Sequence, residues 1–240
     1  MAKNSGKYDV VYFLKQSSTN EELRFSLRSL EKNWQYNEVW FYGGCPLGVS
    51  PDHYVPIRQK ALTKWQRVRD MVVEACKNDK ITEDFWLFND DFFILREVSE
   101  NIPPQYDGTL ENRIEKINKL NLGNYEYRRQ LNHLIKTLKS ASRGILDYAV
   151  HKPMLINRKR MLEVLLRYPD EPMFRALYGN YWKIGGVNTP DVKIRNVIQK
   201  GIGQAINEWD FISTNDNTFT NGDAGRYIRS KFSDKSRFEL

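Results

Sequence analysis

The chain has 240 residues, of which 40% are hydrophobic and 28% charged, so its composition excludes an intrinsically disordered protein and suffices for a large core. Its two cysteines, Cys45 and Cys76, are too few for a disulfide framework or a four-cysteine zinc site. Residues 1–9 contain no apolar run, and no stretch approaches the roughly 18 apolar residues of a membrane span. We therefore expect a cytoplasmic protein without a transmembrane segment.

The net charge of +7 is uneven, because residues 1–120 carry −1 and residues 121–240 carry +8. A basic half of this kind can face nucleic acid, an acidic membrane surface or a phosphate-bearing ligand. The alternative is an ordinary solvated surface, because the excess of lysine and arginine is spread thinly along the second half.

The beginning of the chain has the pattern of a βαβ unit. Apolar, aromatic and β-branched runs at residues 8–14 and 38–42 predict two buried strands. Between them lies a helix with a leucine stripe, which Thr19 or Asn20 can cap. Strands joined by such a helix run parallel, so we expect a parallel sheet.

The later elements extend this pattern. Strands are predicted at residues 55–57, 85–88, 92–95 and 192–194, extended structure at 151–156, a loop at 185–191, and helices at about 62–76, from Asn157 and near 222–231. Residues 111–142 are predicted to form a helical insert over the sheet. We thus predict a single α/β domain over residues 1–240, with a mostly parallel, Rossmann-type sheet flanked by helices.

The sharpest chemical signal is the triplet Asn89-Asp90-Asp91, which lies between the apolar strands predicted at residues 85–88 and 92–95. Buried carboxylates need a compensating cation, and ligands bind at the carboxyl ends of parallel strands. A hard divalent ion, Mg²⁺ or Mn²⁺, prefers such oxygen ligands. The alternative is a tight turn in a hairpin with both acids in water.

Two further residues are candidates for acid–base work. His151 stands at the start of predicted extended structure beside a cationic run, where it could move a proton or bind a phosphate oxygen. A satisfied structural histidine is the alternative. Asp191 follows the predicted loop and could reach an acceptor hydroxyl, or form an ion pair at the start of a strand.

Lys64 and Arg67 share one face of the second predicted helix at i, i+3 and could clamp a diphosphate. An ordinary basic helix surface is the alternative. The sequence has no nucleophile-elbow motif, no CxxC pair and no GxGxxG fingerprint, so it gives no sign of the enzyme classes that these motifs mark.

Several segments, in order, carry a family resemblance. NEELRFSLRSL (residues 20–30), FWLFNDDFFIL (residues 85–95) and HKPMLINRKRMLEVL (residues 151–165) resemble three motif regions of the Stealth proteins. DVKI (residues 191–194) and KSRFE (residues 235–239) are similar to elements of short phage and bacterial proteins that look like glycosyltransferases. Together the matches touch most of the chain.

The resemblance implies a GT-A-like fold and a transferase that uses a nucleotide-diphospho-sugar, with a UDP-sugar as the expected donor. It implies a metal site, Mn²⁺ or Mg²⁺, on Asp90 and Asp91, with Asn89 orienting them. Arg24 and His151 would lie near the phosphates or the transferred group.

The mechanism that follows needs charge stabilisation and a base. Lys64, Arg67 or Lys193 would assist the metal in stabilising the leaving diphosphate. Asp191 or His151 would deprotonate the acceptor hydroxyl.

The reaction type has alternatives. Full Stealth proteins carry Trp-Val-Asp-Gly after their first strand, and this chain has Phe13-Leu14-Lys15-Gln16 there. We therefore expect simple glycosyl transfer to a carbohydrate or other anionic acceptor, or to a modified DNA base if the protein is of phage origin. A Stealth-like hexose-1-phosphate transferase is one alternative, and a basic nucleic-acid-binding module without catalysis is another.

Overall fold

The structure is a computed structural model that describes residues 6–60, 63–99, 101–119, 125–198 and 202–240. Its strands are β1 (Asp9–Leu14), β2 (Val39–Gly43), β3 (His53–Pro56), β4 (Asp84–Phe88), β5 (Phe92–Ile94), β6 (Gln105–Tyr106), β7 (Met154–Asn157), β8 (Val187–Asn188) and β9 (Phe211–Ser213). Its helices are α1 (Glu21–Asn33), α2 (Lys64–Lys77), α3 (Leu110–Lys119), α4 (Tyr125–Ser140), α5 (Arg158–Arg167), α6 (Phe174–Tyr181), α7 (Ile202–Glu208), α8 (Asp216–Thr220) and α9 (Asp223–Lys231).

A five-stranded sheet with the order β3-β2-β1-β4-β7 forms the centre of the fold. The pairs β1–β2, β1–β4 and β2–β3 are parallel, and β7 runs antiparallel to β4 at one edge. All six residues of β1 are buried, as expected for a parallel strand that is covered on both faces. The predicted mostly parallel α/β sheet is confirmed.

Alternate strand residues face two separate cores, because side chains point to opposite faces along a strand. Val11 and Phe13 of β1 pack with α2, α5 and the inserted helices α3 and α4. Val10 and Tyr12 pack with α1 on the other face. Helices therefore flank the sheet on both sides, as predicted.

The helix boundaries follow their caps. Asn20, rather than Thr19, caps α1, because its side chain accepts a hydrogen bond from the main-chain N–H of Leu23. Thr63 caps α2, which begins at Lys64. Residue 62, where that helix was predicted to begin, lies outside the described residues.

The predicted insert is two helices, α3 and α4, and its residues 120–124 lie outside the described part of the chain. Leu131, Leu134 and Leu138 of α4 are buried in the core on the α2 face. That the whole of residues 1–240 forms a single domain stays a prediction. In the described part of the chain, no helix combines the length and the apolar character needed to cross a membrane.

Three local predictions were wrong. The loop predicted at residues 185–191 contains strand β8, which pairs with β6. The predicted strand at residues 192–194 is a single bridge, from Lys193 to Ser213, because strand β9 pairs along its length with β5 instead. Extended structure does not begin at His151, which has a positive φ of 50° in a bend; β7 begins at Met154. The bend turns the histidine out of the sheet before the strand starts.

Candidate active site

The acid pair Asp90–Asp91 lies at the carboxyl end of β4, the edge of the sheet where ligands bind in parallel α/β folds. Both residues are half-buried, and β4 and β5 do not pair with each other, so the segment is not a hairpin turn in water. Nδ2 of Asn20 donates a 2.6 Å hydrogen bond to Oδ2 of Asp90. The cap residue of α1 therefore also holds the first carboxylate.

Lys193 binds the second carboxylate. Its Nζ contacts Oδ2 of Asp91 and the main-chain oxygen of Thr214, and donates to Oγ of Ser213 at 3.2 Å. The Lys193 and Asp91 side chains are 14% and 16% exposed. An ammonium has three donors, and each has an acceptor here, so Lys193 is fixed beside the acid pair.

A third carboxyl group, that of Glu22, lies in the same region. Oγ1 of Thr214 donates to Oε1 of Glu22 at 2.5 Å. Burial, together with the charges of Asp91 and Asp90, raises the pKa of Glu22. Burial and the charge of Asp91 likewise raise the pKa of Asp90. Raised pKa values mean that these acids hold protons more readily than free carboxyl groups do, so the negative charge that Lys193 leaves uncompensated is met either by a proton or by a further cation.

The carboxylate oxygens of the acid pair are suitable ligands for a divalent cation. Oδ1 of Asp91 is buried and lacks a hydrogen-bond partner, which is costly for an ionised carboxylate unless a cation meets it. Among the residues that the structure describes, no group of three or more His, Cys, Asp or Glu side chains forms a metal-ligand set. Two carboxylates nevertheless suffice for Mg²⁺, which keeps waters and substrate phosphate oxygens as its other ligands.

Arg175 of α6 is a further cation close enough to Asp91 for their charges to interact, and no pattern in the sequence indicated it. Its Nη1 donates to the main-chain oxygen of Lys152 at 2.7 Å, while its Nη2 is buried without a partner. Burial lowers the pKa of Arg175 to about 10, and the negative charge of Asp91 opposes that shift. Arg175 therefore offers an unused cationic donor near Asp91.

His151 and Asp191 form a second cluster. Nδ1 of His151 lies 2.8 Å from Oδ1 of Asp191. Oδ2 of Asp191 accepts hydrogen bonds from Arg195 at 2.9 Å and from Arg113 at 3.3 Å. Burial acts to raise the pKa of Asp191, but the hydrogen bond and charge of His151 and the charge of Arg113 outweigh it and hold this pKa far below its usual range. Asp191 is thus a fixed, ionised partner of His151.

The remaining predicted residues lie apart from these contacts. Arg24 of α1 pairs with Glu239 at 2.9 Å, and Nζ of Lys64 lies 5.0 Å from the ring centroid of Trp65. Arg67 is half-buried, and the main-chain oxygen of Asn89 accepts from the N–H of Phe92 at 3.3 Å. Within the described ranges, no hydrogen bond or ion pair joins these four side chains to Asp90 or Asp91. Their roles stay predictions.

Comparison with known proteins yields little similarity. No family model matches the chain, and no curated protein matches it. Among solved structures it is similar to a glycosyltransferase involved in the glycosylation of the major capsid of PBCV-1, with 10% identity and a TM-score of 0.38 over 94% of this chain and 100% of that one. Because the sequence identity and the TM-score are both this low, any function must be argued from this chain's own residues.

Proposed function

We propose that this protein is a glycosyltransferase that moves a sugar from a nucleotide-diphospho-sugar, with a UDP-sugar as the expected donor, to an acceptor hydroxyl. One observation carries the proposal: residues 191–193 contact both the acid pair and His151. Asp191 binds His151 and Lys193 binds Asp91, and the N–H of Lys193 also donates to Oδ1 of Asp191 at 3.1 Å. A cation site and a proton acceptor are thereby held next to each other.

The acid pair would hold the metal. Asp90 and Asp91 supply the carboxylates, and the buried Oδ1 of Asp91 is the atom that most needs a cation. When bound, Mn²⁺ or Mg²⁺ neutralises charge that develops on the leaving diphosphate. A metal site formed by two carboxylates supports a phosphate-bearing donor over a neutral one, because the metal binds phosphate oxygens as further ligands.

The chain's own cations complete the charge stabilisation. Lys193 is fixed beside Asp91, and Nη2 of Arg175 is an unpartnered donor, although it is buried, so a phosphate oxygen would have to enter the site to meet it. Fixed donors in a site of low water content stabilise developing charge without reorganising. Lys193, whose three donors already have protein acceptors, is therefore our candidate for stabilising the departing diphosphate through its charge, and Arg175 is our candidate for donating to it. Lys64, Arg67, Arg24 and Asn89 are further proposals.

His151 is the proposed base, and Asp191 is its positioning residue. An ionised Asp191 can only accept, so Nδ1 of His151 carries the proton in that contact and Nε2 keeps its lone pair. The acceptor oxygen bonds to the anomeric carbon as the bond from that carbon to the diphosphate oxygen breaks. The hydroxyl proton passes to Nε2, and the nucleoside diphosphate leaves with the electron pair.

Nucleotide release tests the proposal directly. The protein is incubated with a panel of nucleotide sugars in Mn²⁺, Mg²⁺ or EDTA, and the released nucleotide is identified by chromatography. We expect a nucleoside diphosphate that disappears with EDTA and with Asp91→Ala, while the exposed Asp79→Ala serves as a matched control. A folded Asp91→Ala variant that stays active would contradict the proposed metal-dependent glycosyl transfer.

The other candidate functions give different results in the same assay. Release of a nucleoside monophosphate would indicate hexose-1-phosphate transfer, in which the bond broken lies between the two phosphates. No metal-dependent nucleotide binding, together with DNA binding that weakens steeply with salt, would indicate a nucleic-acid-binding module. Transfer to glycosylated or modified DNA and not to carbohydrates would place the acceptor on nucleic acid.

A further inference from the structure

A small cavity is lined by residues of β4, β6, β7 and α6. Most of the lining residues are apolar, and those whose side chains carry N–H groups are Trp86, Gln105, Lys152 and Arg175. Among the residues that the structure describes, no aspartate or glutamate lines this cavity. It has room for a water molecule or a similarly small ion. The cavity therefore combines two cationic side chains with no carboxylate to balance them.

Three donors of the lining lack acceptors within the described part of the chain. Trp86 is 1% exposed, and its Nε1 is buried without a partner, as is Nη2 of Arg175. Lys152 is 9% exposed, and its Nζ donates to Oε1 of Gln105 at 2.7 Å and to Oγ1 of Thr189 at 3.0 Å. An ammonium has three donors, so one of them is left over here. Buried donors without acceptors are costly, which points to a missing ligand.

The two cations of the cavity are held next to each other. Nη1 of Arg175 donates to the main-chain oxygen of Lys152 at 2.7 Å, and in the described ranges neither side chain forms an ion pair with a carboxylate. Burial lowers the pKa of Lys152, although the charges of carboxylates, that of Asp191 first, oppose this shift. Because a buried cation without a counter-charge is strongly destabilising, an anion in the cavity would stabilise both side chains.

We propose that Trp86, Lys152 and Arg175 bind a small anion in this cavity. An anion accepts from all three groups and neutralises positive charge, whereas a water molecule accepts only two hydrogen bonds and leaves the charge unchanged. The anion has two sources, a free ion such as chloride or an oxygen of the departing diphosphate, to which Arg175 is assigned above. Only the second source rests on the proposed function.

Anion-specific stabilisation tests the site without any turnover. Thermal unfolding is followed in sodium chloride and, at the same ionic strength, in sodium gluconate, whose anion is too large for the cavity. We expect the Tm of the wild type to be about 2 °C or more higher in chloride. Lys152→Met and Trp86→Phe each remove one donor and should lose this difference, which is measured within each variant and so does not depend on its overall stability. Lys136→Met, at an exposed lysine of α4, removes the same charge and should keep the difference.

Displacement identifies the source of the anion. The chlorine NMR line width of the chloride solution should increase with wild-type protein and much less with Lys152→Met, and UDP with Mg²⁺ is then added to the wild type. Loss of the broadening on this addition would support a diphosphate oxygen as the natural ligand. Retained broadening would support a free anion as the natural ligand and would remove Arg175 from the groups that donate to the diphosphate.

The opposing results are equally specific. Equal Tm values of the wild type in chloride and gluconate, together with no chlorine line broadening, would overturn the anion site. A chloride effect that persists in both Lys152→Met and Trp86→Phe, or that is lost equally in Lys136→Met, would overturn it too, because the ion would then act through the surface charge. Failure of the proposed function is a separate outcome, since it appears as absent metal-dependent nucleotide release whether or not chloride binds.

Discussion

Asn20 binds Asp90 through Nδ2 at 2.6 Å while its Oδ1 accepts from the main-chain N–H of Leu23 at 2.9 Å. One side chain thus fixes both the start of α1 and the first acid of the site. The two contacts use different atoms of the amide, so substitutions can separate them.

Asn20→Ser and Asn20→Asp both keep a good helix cap and both lose the amide N–H₂ group that donates to Asp90. We expect stability within about 0.5 kcal/mol of wild type for the serine variant, with turnover reduced at least about tenfold. Asn20→Asp should lose more turnover, because it places a third negative charge against the acid pair. Asn20→Ala should additionally lose about 1 kcal/mol in urea unfolding. Full activity in Asn20→Ser would show that the contact is purely structural.

Lys193→Gln removes the ammonium that shares Asp91 with the proposed metal. The negative potential of the acids then rises, so we expect tighter Mn²⁺ binding in calorimetry and turnover lowered about tenfold or more. Lys77→Gln, at a surface ion pair with Glu74, is the control. Weaker Mn²⁺ binding in Lys193→Gln would mean that the lysine builds the site rather than competing within it.

Asp191→Asn and His151→Gln should each lower kcat about a hundredfold, with less than additive loss in the double variant, because the two residues act as a unit. The loss should fall on kcat rather than on the KM for the donor, because the pair acts on the acceptor hydroxyl. A change confined to KM would count against a positioning role for Asp191.

Glu239 ties the end of the described chain to α1. Its carboxylate, 1% exposed, binds Arg28 at 2.6 Å and Arg24 at 2.9 Å. Burial acts to raise its pKa, but the bonds from Arg28, the N–H of Ser236 and Arg24 lower the pKa of Glu239 to about 2. A lowered carboxyl pKa stabilises the fold above the unfolded value of 4.5 and loses this contribution as the pH falls towards 2.

We therefore expect Glu239→Gln to lose about 3 kcal/mol of unfolding free energy at neutral pH and much less near pH 3. Urea unfolding of both proteins at the two pH values measures this difference. Glu74→Gln, at an exposed ion pair, should change stability by less than about 0.5 kcal/mol. Equal loss at both pH values would show that the residue acts through packing instead.

Glu171 has the opposite dependence. Burial raises its pKa to about 7, although the N–H of Met173 and the charge of Arg69 oppose this. Because the folded state then holds its proton more tightly than the unfolded chain, stability falls as the pH rises from 4.5 to about 7. Glu171→Gln should match the wild type near pH 5 and exceed it by about 3 kcal/mol near pH 8 in urea unfolding. A constant difference between the two proteins would contradict this.

The central sheet could be predicted because its strands are long apolar runs, whose burial on both faces leaves a clear signal. The small pairs β5–β9 and β6–β8 could not, since strands of two or three residues have no measurable period. The single bridge at Lys193 shows why the strand predicted at residues 192–194 was wrong: local sequence does not distinguish a strand from a segment that pairs with one at a single residue.

The acid pair was found because ionised groups interrupt apolar strands, which is a local feature. Glu22 was not, because an acid in the first turn of a helix already has a local explanation in the helix dipole. Arg175 lies in an otherwise ordinary helix, and only the tertiary fold brings it near Asp91. Residues whose roles depend on distant partners leave no pattern in the sequence around them.

The partners of the acids lie far apart along the chain: Asn20 and Asp90 are separated by 70 residues, Asp91 and Lys193 by 102, and Glu22 and Thr214 by 192. Closing a long loop costs entropy before its contacts form. The acid site is complete only when all three loops have closed. Nucleotide binding with metal at the proposed site would therefore report that each of these loops has closed.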